Sequence, residues 1–81
     1  MVRDILEVIE SLGLKPFVSD DDGDTLIEVW CAKRKISFFG KSNYALRVWG
    51  VGTNVKMSEY DIKNIEDIKT QVSWLIEERD H

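Results

Sequence analysis

The spacing of apolar residues changes period twice along this chain, and that constrains its fold more than any single residue does. Near the N-terminus Val2, Ile5, Leu6, Val8, Ile9 and Leu12 recur at intervals of three and four, the repeat of one helix face. Arg3, Asp4, Glu7, Glu10 and Ser11 fall between them as the wet side. Gly13 suits a C-terminal cap and Pro16 blocks continuation, so a helix is predicted over 2–12. The same repeat returns in Ile65, Ile68, Val72, Leu75 and Ile76. Asn64 is a natural N-cap there, and Glu66 and Asp67 stand in the first turn, where the helix dipole favours negative charge. A second helix is predicted over 64–79.

Between the helices the period drops to two. Residues 25–32 and 35–39 are rich in branched and aromatic side chains, residues 44–51 form a third strand, and 55–57 a short fourth. Phe17 and Val18 read as a short strand beside the first of these, and the polar run 19–24 as an exposed loop or hairpin turn. Residues 40–43 and the glycine-bearing 50–54 reverse the chain. Connections this short exclude parallel crossovers. The expected fold is one α+β domain spanning 1–81, with an antiparallel three- or four-stranded sheet and both helices packed on one face.

Strand alternation divides the sheet residues into two sets. Ile27, Val29, Cys31, Ile36, Phe38, Leu46 and Val48 are predicted to face the helices. Glu28, Trp30, Lys35, Ser37, Phe39, Arg47 and Trp49 are predicted to look the other way. This second face mixes aromatic rings with cations, so Trp30, Lys35, Phe39, Arg47 and Trp49 are the candidate partner-binding residues. Trp74 lies on the far side of the helical wheel from Ile65, Val72 and Ile76, and is read as a separate contact patch or, equally, as a ring packed against the chain termini.

Charge is laid out unevenly. The chain carries a net −4 overall, from −6 over residues 1–28, +6 over 29–58 and −4 over 59–81. The acidic balance argues against strong nonspecific nucleic-acid binding, while the basic middle keeps a local version open.

The chemistry of catalysis is sparse. The single histidine is the last residue, His81, so no Ser-His or Cys-His pair is available. Cys31 is the only cysteine, which rules out an internal disulfide and a thiolate metal cluster; on a strand it reads as a small buried hydrophobe. Asp20, Asp22 and Asp24 alternate as in a calcium loop, but the sixth and twelfth positions hold Thr25 and Cys31 rather than Gly and Glu. Gly50-Val51-Gly52 leads into strand-like sequence instead of a helix, so it is read as a reversal and not a phosphate loop. No metal and no cofactor are expected.

No run approaches the ~18 apolar residues of a membrane span, and the N-terminus lacks the pattern of a signal peptide; a soluble, cytoplasmic protein without membrane contact is expected. The predicted function is that of a small non-catalytic protein-binding module (adaptor, inhibitor, immunity or chaperone-like), binding another protein or a second copy of itself through the aromatic and basic sheet face. Single-stranded nucleic acid on the same face is the alternative. An acidic nucleic-acid mimic that inhibits a host nucleic-acid machine ranks below both.

Overall fold

The computed structural model describes residues 2–40, 42–50 and 55–79. The elements are α1 (Val2–Ser11), β1 (Pro16–Asp21), β2 (Asp24–Cys31), β3 (Arg34–Phe39), β4 (Tyr44–Trp49), β5 (Lys56–Asp61) and α2 (Ile65–Arg79). The strands form one antiparallel sheet in the order β1-β2-β3-β4-β5, a meander between two helices. The α+β class and the antiparallel sheet match the sequence reading. The strand count does not: the described residues form five strands rather than three or four.

Both additional stretches of strand have local causes. The acidic run predicted as loop continues β1 to Asp21, because Asp22 and Gly23 make a two-residue turn with φ of 53° and 90°. Two consecutive positive φ values match the right-handed twist of a hairpin, and Asp-Gly is a sequence that adopts them. Pro16 opens β1 at the edge of the sheet, where its missing N–H costs no ladder bond. β5 runs on through Asp61 because it pairs along the whole of β4, from Trp49↔Lys56 to Tyr44↔Asp61. The expected reversal over 50–54 and the Gly50-Val51-Gly52 segment fall largely, and His81 wholly, outside the described residues.

The helix ends follow the sequence. Gly13, at φ 79°, closes α1 with two bonds: its own N–H to the Glu10 carbonyl at 3.0 Å, and the Leu14 N–H to the Ile9 carbonyl at 3.2 Å. That pair of bonds satisfies carbonyls the helix end leaves unpartnered. Asn64 Oδ1 accepts the Asp67 N–H at 3.0 Å, as an N-cap should.

Both helices lie on one face of the sheet, α1 over β1 and β2, α2 over β2 and β3, and the helices touch each other. The core between the layers contains Ile5, Val8 and Ile9 from α1, and Ile68, Val72 and Leu75 from α2. The sheet supplies Ile27, Val29, Cys31, Ile36, Phe38 and Ala45. Ile62, in the link between β5 and α2, is also buried and ties that link to the β3–β4 loop through its N–H on the Asn43 carbonyl at 2.8 Å. Each of the larger aliphatic side chains stabilises the fold by about 1.5–3 kcal/mol through burial.

One prediction of facing is corrected by the register. Phe39 pairs with Tyr44 and Ile36 with Arg47. The four residues between β3 and β4 make every even-numbered position of one strand oppose an odd-numbered position of the other. The helix-facing parity of Ile36 and Phe38 therefore continues on Ala45, Arg47 and Trp49. Leu46 and Val48, predicted for the core face, look away from the helices, and Arg47 and Trp49 do the reverse.

Candidate interaction face

The face turned away from the helices carries Phe17 from β1, Leu26, Glu28 and Trp30 from β2, and Lys35, Ser37 and Phe39 from β3. Tyr44, Leu46 and Val48 from β4 and Met57, Glu59 and Asp61 from β5 share it, with Ser19 and Asp24 towards one end. No described element covers it. Phe17 is 55% exposed, Trp30 41% and Met57 65%. Leu26, Phe39, Tyr44 and Leu46 are half-buried among their cross-strand neighbours. Aromatic and aliphatic rows of this kind are the usual means by which neighbouring strands hold each other, but here their outer surfaces remain wet.

Polar groups on this face are matched within it. Lys35 Nζ donates to Glu28 Oε2 at 2.9 Å and stands 5.1 Å from the centre of the Trp30 ring. Phe39 and Tyr44 meet edge to face with centroids 6.4 Å apart. The Tyr44 hydroxyl donates to Glu59 Oε2 at 3.3 Å. The negative charge of Glu59 beside it, and that hydrogen bond, hold the Tyr44 hydroxyl above its ordinary pKa of 10.0, because ionising the phenol would set two anions together. Phe39, Ser42, Tyr44, Leu46 and Glu59 line a shallow depression at one end of the face.

Of the six residues singled out from sequence, Trp30, Lys35 and Phe39 share this face. Arg47, Trp49 and Trp74 do not. They stand on the helix side, Arg47 and Trp74 between the sheet and α2. Arg47 Nε donates to Gln71 Oε1 at 2.9 Å, and its guanidinium lies 4.5 Å from the Tyr60 ring centre and 4.7 Å from that of Trp74. Arg34 packs 4.2 Å from the same Trp74 ring and reaches the Trp74 carbonyl at 3.4 Å. Trp49 is 45% exposed, with Lys56 Nζ 5.4 Å from its ring centre.

Trp74 is thus not an outward patch but a half-buried ring against the core, holding α2 to the sheet through two arginines. The helix is turned accordingly. Gln71 is buried, while Ile65, placed by periodicity in the apolar stripe, is 46% exposed. Arg34, Tyr60 and Gln71 went unnoticed in the sequence. The one available signal was the four-residue loop at 40–43, which puts Arg47 under the helix and so calls for a polar partner there.

No family model, curated protein or solved structure matches this chain.

Proposed function

We propose that this chain is a non-catalytic protein-binding module whose partner docks on the open face of the sheet. One observation carries the reading: exposed Phe17, Trp30 and Met57 and half-buried Phe39 and Leu46 share the side opposite both helices, with no described element over them. Contiguous apolar surface on a small domain marks a contact site, and tryptophan and other rigid rings supply contact area at low entropic cost. The register correction favours protein over nucleic acid. It removes Arg47 from the face and leaves Lys35 neutralised by Glu28, so no unpaired cation remains among the described residues there to meet a phosphate. The rings on the helix side are each already stacked with a Lys or Arg of this chain, and a base would have to displace that cation. Among the described residues no helix is long and apolar enough to cross a membrane.

The test is site-specific photo-cross-linking inside the producing cell. A benzophenone side chain at position 30 or 39 should yield protein adducts, and one at the exposed position 7 of α1 should not. Adducts that are absent from 30 and 39, or equally abundant from position 7, remove the reading.

A further inference from the structure

The occupant of the open face, if that face is the docking surface proposed above, can be deduced from its size and charge. We infer that it is a second copy of this chain, packed sheet to sheet in an isologous dimer.

Size comes first. Five strands at a spacing of ~4.8 Å, each about six residues long at ~3.4 Å per residue, make a face roughly 20 Å on each side. Corrugated by side chains, such a face offers on the order of 600–800 Å² of accessible surface, so two copies bury about 1,200–1,600 Å² in all, the range of a standard stable interface. Two sheets stacked ~10 Å apart with their inner faces interdigitated are a common way to complete a core. An isologous contact also requires the same patch to serve both partners, and this face already pairs its cation with an anion of its own, Lys35 with Glu28.

Charge is the second argument. The centre of the face holds one cation and one anion, Lys35 and Glu28, bonded to each other at 2.9 Å. Burying them together leaves no ion without its partner, whereas an isolated charge buried by docking costs several kcal/mol. The remaining carboxylates described on this face stand away from its centre, Asp24 at the first position of β2 and Glu59 and Asp61 on the edge strand β5. A partner bearing a compensating charge at its own centre would find nothing to pair with. A second copy brings the same neutral centre. Ser37, small and 4% exposed, sits midway along β3 between larger neighbours, a low point for a side chain of the opposing copy.

Sedimentation equilibrium on the purified chain tests this without any substitution. A dimer is the expected species at micromolar concentration. Its dissociation constant should fall as salt is raised, since each copy carries a net −4 and screening relieves the repulsion between copies. Trp30→Glu and Leu46→Lys should each raise that constant by roughly thirty-fold or more, as loss of a central anchor does, whereas Trp49→Glu on the helix side should leave it unchanged. Circular dichroism confirms that the variants stay folded. A wild-type chain that sediments as a monomer at hundreds of micromolar overturns self-pairing, as does a dimer indifferent to both open-face substitutions. The docking face itself is judged separately by the cross-linking above. Adducts of twice the chain mass support the dimer. Adducts of any other mass from positions 30 and 39 keep the face and discard the second copy, and no adducts discard both.

Discussion

Arg47 on β4 and Gln71 on α2 are joined across the gap between sheet and helix by a 2.9 Å bond from Nε to Oε1. The acceptor is buried and the donor is wedged between the rings of Tyr60 and Trp74. A polar pair therefore holds the place where an aliphatic contact would normally join these two layers.

Removing Arg47 leaves the buried Gln71 carbonyl without its donor. Arg47→Ala should lower unfolding free energy by about 1–3 kcal/mol, from the orphaned Gln71 carbonyl and the two lost ring contacts. Arg47→Lys should recover little, because an ammonium lacks the planar fork that stacks and donates at once. Urea unfolding of both variants, with Gln71→Leu to complete a double-mutant cycle, measures the coupling. A coupling energy of zero would contradict the geometry.

The facing of β4 has its own test. Phe38→Ala should cost about 3–5 kcal/mol, as truncation of a fully buried ring does. Leu46→Ala, at a half-buried position on the outer face, should cost about 1 kcal/mol or less in the monomer at low concentration. Equal losses by chemical denaturation would restore the facing that hydrophobicity suggested.

Ala32 opens the two-residue turn between β2 and β3 with φ of 56°. That backbone region penalises a Cβ and is where such a turn prefers glycine. Ala32→Gly should raise the melting temperature, with a gain of about 0.5–1 kcal/mol. Gly23→Ala, at φ 90° in the β1–β2 turn, should lower it.

Tyr44 links stability to alkaline pH. Its hydroxyl donates to Glu59, so its folded pKa stands above the ordinary 10.0. The folded state thus favours the protonated phenol. This contribution is full below pH 10.0 and fades as pH climbs through the raised folded value. In a Tyr60→Phe background the tyrosinate absorbance of Tyr44 should titrate later than free tyrosine, and Glu59→Gln should bring it back down.

How much of this was legible in the sequence depended on which interactions decide each feature. Helix ends are set by a few neighbouring residues, so Gly13 and Asn64 marked them correctly. The pairing of 27, 29 and 31 with 36 and 38 followed from strong one-sided apolarity. β4 was ambiguous: Tyr44, Leu46 and Val48 are more apolar than Ala45, Arg47 and Trp49, and the more apolar set is the one that faces outward. Two constraints outweighed hydrophobicity there, the length of the preceding loop and the capacity of Gln71 and Trp74 to receive a guanidinium. The outward reading of Trp74 failed for the same reason, since a helical wheel cannot register a cation waiting on the sheet below. Trp30, Lys35 and Phe39 were placed correctly because they lie on strands whose facing the core had already settled.

The loop at 40–43 has a consequence for how this chain tolerates change in length. An insertion or deletion of one residue there would turn β4 inside out, carrying Arg47 into the water and Leu46 beneath α2, unless the strand slid by one step and gave up its ladder with β3. Adding or removing two residues preserves the alternation. Loop length at this position is thus a parity bit, and descendants of the chain can edit it only in even steps.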